Sequence, residues 1–110
     1  MKKGEIWLVN LNPTKGKEQA GFRPVVIVSG DAMNDNMPLS IVCPLSTKLK
    51  NFAGSIILHP DDENGLMATS EILTFQIRTI AHNRFVKRLG KINKNQMSVL
   101  IKNINKILEY

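Results

Sequence analysis

The sequence predicts a single, mainly β domain carrying one C-terminal amphipathic helix, and three observations predict it. Short apolar runs rich in Val, Ile and aromatic residues recur along the first 80 residues, with Gly, Pro, Asn and Asp clustered between them. From Met97 onward the apolar residues change to helical spacing. No Pro-, Gly- or Ser-rich stretch divides the 110 residues, so one domain spans 1–110, and five or so short strands with frequent turns make it a small barrel or sandwich.

Residues 4–11 (GEIWLVNL), closed by Asn12-Pro13, form the first strand. Residues 15–21 (KGKEQAG) have two glycines, three charges and no apolar period, which makes them an exposed loop. Residues 23–29 (RPVVIVS) are a continuous apolar run with Pro near its start, where a missing N–H is tolerated, and read as a buried strand. Residues 39–45 (LSIVCPL) repeat the pattern after an irregular connection over 30–38, with Pro44 marking the strand's edge or end. Residues 55–59 (SIILH) and 69–80 (TSEILTFQIRTI) are further strands on either side of the turn-rich 60–65. At the C-terminus, Met97, Leu100, Ile101, Ile104, Ile107 and Leu108 form one helical stripe that packs on the sheet. Asn93 is its N-cap, with Gln96 three residues on.

Composition excludes several classes. A hydrophobic fraction of 43% with 22% charged residues belongs to a chain that buries a core, not to a disordered one. The lone Cys43 leaves no intramolecular disulfide and no Cys/His zinc set, so a reducing, cytoplasmic setting fits best. The longest apolar runs are far below the roughly 20 residues of a membrane span, and Met1-Lys2-Lys3 leads into Gly4-Glu5 rather than an apolar signal core. Fifteen Lys and Arg against nine Asp and Glu give a formal net charge of +6, which invites a polyanion as partner.

A nuclease that needs no metal must use the 2′-hydroxyl of RNA as nucleophile. Side chains then supply a proton acceptor, cationic donors for the phosphate and a proton source for the leaving oxygen. Residues 16–24 (GKEQAGFRP) bring a carboxylate, Glu18, and a guanidinium, Arg23, whose planar fork suits phosphate; an exposed, solvated ion pair accounts for the same spacing. Residues 43–50 (CPLSTKLK) add two adjacent hydroxyls, Ser46 and Thr47, followed by two lysines; a turn or cap accounts equally for Ser-Thr after a strand. His82 has the intrinsic pKa for acid–base work but reads as a surface-loop histidine, as does His59. Cys43, inside an apolar run, reads as a small buried hydrophobe.

Together these segments resemble the MazF/PemK/Kid family of toxins over nearly the whole chain and in the same order. The match is strongest in Gly4-Glu5-Ile6-Trp7-Leu8-Val9, Asn12-Pro13-Thr14-Lys15-Gly16, Glu18-Gln19-Ala20-Gly21 and Arg23-Pro24. It continues through Val42-Cys43-Pro44-Leu45-Ser46-Thr47 and Gln76-Ile77-Arg78-Thr79-Ile80 to the C-terminal helix. The resemblance implies a small SH3-like β-barrel of the CcdB/MazF/Kid toxin fold, assembled as a homodimer with RNA in a groove across the dimer interface. It implies a toxin of a type II toxin–antitoxin system that cuts single-stranded RNA, as in messenger RNA, sequence-specifically and without metal or other cofactor. The products are a 2′,3′-cyclic phosphate and a 5′-hydroxyl. The implied partners are a cognate antitoxin whose acidic tail occupies the groove and, only through that complex, operator DNA.

Carried over by position, the resemblance places the catalytic arginine on Arg23, the catalytic hydroxyl on Ser46 or Thr47, and the loop acid on Glu18. Lys15, Lys17, Gln19, Lys48, Phe75, Gln76 and Arg78 fall in the RNA-binding segments. Lys17 stands where one relative has a histidine, and it is a poor proton shuttle near neutral pH. Phe75 stands where several relatives have an acid, which removes one proton acceptor and leaves the general base open; it either stacks an RNA base or belongs to the core. Two other readings follow. One is a CcdB-like toxin that binds gyrase without catalysis, against which the GKEQAGFRP segment and the basic charge weigh. The other is a catalytically inactive, antitoxin-binding member of the family, which Phe75 favours.

Overall fold

Ile6 and Val9, both fully buried, fix the inward-facing positions of the first strand, β1 (Glu5–Asn10). The structure, a computed structural model, describes residues 1–12 and 21–109. β1 pairs antiparallel with β2 (Phe22–Ile27), from Ile6↔Val26 to Asn10↔Phe22. After α1 (Asp31–Asn36), β3 (Leu39–Ser46) runs along the other edge of β2, with Val25 opposite Pro44. β4 (Ile56–Leu58) pairs with β5 (Ser70–Ile72); β6 (Arg78–Ala81) and β7 (Phe85–Lys91) follow, and α2 (Lys94–Glu109) completes the order. Short 3-10 turns at Thr74–Gln76 and His82–Arg84 flank β6.

All the pairings are antiparallel, and the sheet runs β4-β5-β3-β2-β1-β7. β6 lies off this path against Leu39–Val42 of β3, while β5 takes Leu45 and Ser46 farther along the same strand. The mainly β class with a C-terminal helix is the predicted one. Among the described residues the path does not close on itself, so β4 and β7 are its two ends.

Both faces of the central strands are buried. Val26 and Cys43 join Ile6, Leu45, Leu58 and Ile72 beneath Leu100 and Ile104 of α2. Their chain neighbours Val25 and Val42 point the other way, to Val9, Leu11, Ile27 and Ile80, with Trp7 and Phe85 packed alongside. Two-sided burial is why residues 23–29 read as a continuous apolar run instead of an alternating one. The N-cap of α2 is reciprocal, as the sequence predicts: Gln96 N donates to Asn93 Oδ1 at 2.8 Å, and Asn93 N donates to Gln96 Oε1 at 2.9 Å.

The structure differs from the sequence reading at five places. The connection over 30–38 contains α1, a helix too short for apolar periodicity to register; Asp31 Oδ1 accepts from Lys3 N at 2.8 Å and ties it to the N-terminus. Residues 69–80 are β5, a 3-10 turn and β6, not one strand. β7 was not anticipated. Pro44 lies inside β3, not at its end: its carbonyl accepts from Leu73 N at 2.9 Å, so its missing N–H faces the gap where β3 changes partner from β6 to β5. Leu108, expected in the buried stripe of α2, is 74% exposed, whereas Leu100 and Ile104 of the same stripe are buried.

Candidate functional site

The end of β3 lies beside the turn that follows β5. There Ser46, Lys48, Lys50, Phe52, Phe75 and Gln76 line a cleft of about 360 Å³ with Leu73 at its apolar side. Four of these, Ser46, Lys48, Phe75 and Gln76, were expected from sequence. Ser46 is nearly buried, and its Oγ accepts from Lys48 N at 3.1 Å, a local turn that leaves the hydroxyl proton to donate elsewhere. Thr47, the alternative hydroxyl, is exposed and lines a second, more apolar hollow of about 280 Å³ with Pro24, Leu66, Met67 and Leu89.

Arg23 is the second residue of β2, exposed and opposite Val9 of β1. The β2–β3 pairing ends at Val25↔Pro44, and Arg23 and Ser46 each lie two residues beyond that pair, toward the same end of the two strands. The pairing thus puts at one end of the same two strands residues that lie 23 positions apart in the chain. Arg78 lies on β6 across from Val42, outside the cleft lining given by the described residues. Glu18, Lys15, Lys17 and Gln19 lie outside the described residues. The neck of their segment is fixed: Leu11 N donates to Gly21 O at 2.9 Å and Gly21 N to Asn12 Oδ1 at 3.0 Å. Arg84 Nη1 donates to Asn12 O at 2.6 Å and to Asn10 O at 3.2 Å, clasping the same neck from the other side of the sheet edge.

The sequence reading missed Phe52 and Glu71. Glu71 is fully buried on β5. Its carboxylate accepts from the backbone N–H groups of Lys50 (2.8 Å), Asn51 (3.2 Å) and Phe52 (2.9 Å), and from Ser55 Oγ. Burial pushes this carboxyl's pKa up, but the hydrogen bonds from Ser55 and the three amides outweigh it and hold the group below its ordinary range. Asn51, at φ 51°, adopts the left-handed conformation that lets successive N–H groups converge on one anion. No sequence signal marked this, since the partners lie about 20 residues away.

His82, expected as a surface-loop histidine, is half-buried in the short 3-10 turn between β6 and β7. Ser40 Oγ donates to Asn34 Oδ1 at 2.7 Å and meets His82 Nε2 at 2.8 Å, while the imidazole packs edge-on against Phe85. The contact with Ser40 joins the second 3-10 turn to β3. His59 Nδ1 meets Thr69 Oγ1 at 3.3 Å, away from the cleft. Burial pushes the Cys43 thiol up to about 12, which suits the small hydrophobe expected and not a nucleophile. The described residues contain no group of three or more His, Cys, Asp or Glu able to hold a metal ion, and no helix among them is long and apolar enough to cross a membrane.

Residues 2–108 match the family described as PemK-like, MazF-like toxin of type II toxin-antitoxin system. Endoribonuclease PemK of Escherichia coli is 36% identical over 114 residues, covering 98% of this chain and 82% of its own. Among solved structures, MazF (Form-I) from Deinococcus radiodurans superposes with a TM-score of 0.85 at 21% identity, covering 100% of this chain and 97% of that one. A mycobacterial endoribonuclease in complex with its cognate antitoxin gives 0.81 at 19% identity, covering 98% and 94%. At these identities the two structures are similar in fold.

Proposed function

Since the chain belongs to the PemK-like, MazF-like toxin family of type II toxin–antitoxin systems, we propose that it is a toxin of this kind and an endoribonuclease that cuts single-stranded RNA, messenger RNA included, at preferred sequences without a metal ion. The observation that carries this reading is the cleft at the end of β3, lined by a nearly buried hydroxyl, Ser46, and two lysines; Arg23, at the same end of the β2–β3 pair, is proposed to serve it. A hydroxyl that shares a cleft with cations suits a phosphodiester whose negative charge grows during reaction.

In the proposed reaction the 2′-oxygen attacks the adjacent phosphorus as its proton passes to a base. The bond from phosphorus to the 5′-oxygen breaks, the leaving oxygen takes up a proton, and a 2′,3′-cyclic phosphate and a 5′-hydroxyl remain. Arg23 stabilises the equatorial oxygens; its pKa above 12 makes it a poor proton carrier. Ser46 donates to the same phosphate, with Thr47 the alternative hydroxyl. Lys48 and Lys50 hold flanking phosphates, Gln76 offers an amide to the bound strand, and Arg78 acts from the neighbouring strand. The base is left open by Phe75; Glu18, the loop acid, is proposed as a catalytic residue, and Lys15, Lys17 and Gln19 of the same segment are proposed to bind the RNA.

The working form we propose is a cytoplasmic homodimer restrained by a cognate antitoxin whose acidic tail competes for the basic cleft, with operator DNA bound only through that complex. Phe75 at the family's acid position favours a second reading, a catalytically inactive member that binds antitoxin. Purified protein incubated with single-stranded RNA in excess EDTA separates the two. Cleavage that leaves cyclic phosphate ends is expected. Cleavage only after a divalent ion is added would overturn the 2′-hydroxyl mechanism, and no cleavage with or without the ion would favour the inactive reading.

A further inference from the structure

Phe52 and Phe75 are 43% and 45% exposed, yet they lie edge to face with ring centroids 4.8 Å apart at 70°. Two large apolar rings half open to water are costly unless something covers them. They share their cleft with Lys48 and Lys50. Ring faces beside cations match a nucleobase joined to its phosphate: the base stacks and the phosphate meets the ammonium groups. An apolar peptide would leave the lysines unanswered.

The turn bearing Phe52 is fixed by Glu71. The three successive amides from Lys50 to Phe52 point at its carboxylate, and Ser55 closes the far side by donating to Glu71 and to Phe52 O. Thr74 Oγ1 donates to Gly54 O at 3.0 Å, tying the turn to the residue before Phe75. Both rings are therefore held from behind, by groups that do not face the cleft. Building a subsite on rigid supports lowers the ordering cost of binding.

We infer that the turn wrapped around Glu71 is the specificity-determining wall of the cleft: Phe52, paired with Phe75, stacks one base of single-stranded RNA beside the cut while Lys48 and Lys50 hold its phosphates. Glu71 is a positioning residue that acts through Phe52 and Lys50. The inference rests on the ribonuclease reading above and adds where one base is recognised.

The test compares wild-type protein with Phe52→Ala, Phe52→Trp and Glu71→Gln. Each cuts a long single-stranded RNA whose products are sequenced, then an oligonucleotide carrying the preferred site. Phe52 is exposed at its ring, so Phe52→Ala should fold. It should raise KM about tenfold, the scale of one lost base stack, with kcat nearly unchanged and the base preference relaxed at one position beside the cut. Phe52→Trp should restore both. Glu71→Gln should lower Tm and also raise KM and relax the preference at temperatures well below its own Tm, which a purely structural role would not do. Wild-type protein that cuts RNA while Phe52→Ala keeps the parental KM and preference overturns this inference alone. So does a Phe52→Ala that loses only affinity for a synthetic acidic peptide, which would make a peptide the occupant. Wild-type protein that cuts no RNA overturns the ribonuclease reading, and this inference with it.

Discussion

Arg23 and Ser46 illustrate how far single residues can be read. Each was conspicuous in the sequence through its motif, but only the β2–β3 pairing puts both at the same end of two adjacent strands. Arg23→Ala in a folded protein is expected to slow cleavage by roughly 10²–10³-fold, the range typical for losing one charge-stabilising donor, while RNA binding weakens much less. Arg23→Lys should recover binding and leave most of the catalytic defect, because an ammonium keeps the charge without the planar fork. Single-turnover rates and equilibrium binding, measured separately on Arg23→Ala, Arg23→Lys, Ser46→Ala and Thr47→Ala, check the assignment and decide between the hydroxyls.

Glu71 was illegible for the opposite reason. A charged residue in an alternating strand normally faces water, and nothing local announces that residues 50–55 fold back over it. Its folded pKa is lowered, so its stabilising effect is fully present above the unfolded glutamate value of about 4.3 and is lost as pH falls through the lower folded value. The stability gap between wild type and Glu71→Gln should therefore be widest near neutral pH and shrink below about pH 4. Chemical denaturation of both proteins at pH 3, 4, 5 and 7 checks this. Glu5 and Asp31 are also lowered, so the difference between the two proteins, not the wild-type curve alone, isolates Glu71.

Among the elements, β1, β2, β3 and α2 were legible because each buries a patterned set of apolar residues, and α2 also announces its start through Asn93 and Gln96. β7 was not, since FVKRLGK is largely basic and only Gly90 is buried on it. The strand forms because the edge of β1 accepts it, and because Gly90 lets the 60–65 turn come close. A Cβ at Gly90 would lie 2.2 Å from Glu63 O, and one at Gly65 would lie 1.9 Å from Leu89 O. Both approaches are to backbone, which cannot swing aside. Gly90→Ala should thus destabilise by about 1–3 kcal/mol, as overpacking does, and lower Tm in a thermal melt. Asn93→Ala should cost about 1 kcal/mol through the lost cap. A Gly90→Ala protein as stable as the parent would mean that β7 and the turn do not pack as described.

For the whole molecule, the basic balance and the mainly β class were readable from composition and run lengths, whereas the path of the sheet was not, because β3 exchanges partners along one edge. An excess of Lys and Arg that holds phosphates must release counterions, so the affinity for single-stranded RNA should fall with salt, with a logarithmic slope of about −0.7 per neutralised phosphate. Fluorescence anisotropy with a labelled oligonucleotide across a salt series measures it. A flat response would shift weight to a toxin that binds a protein such as gyrase.

The most direct test of the proposed chemistry replaces one atom of the substrate. Two oligonucleotides of identical sequence are incubated with the protein in excess EDTA, one all-ribose and one carrying a single 2′-deoxynucleotide on the 5′ side of the preferred cut. The all-ribose strand should be cut to a cyclic phosphate end, and the deoxy strand should stay intact at that bond. Cleavage of both at the same bond and at similar rates would contradict the use of the RNA's own hydroxyl as nucleophile.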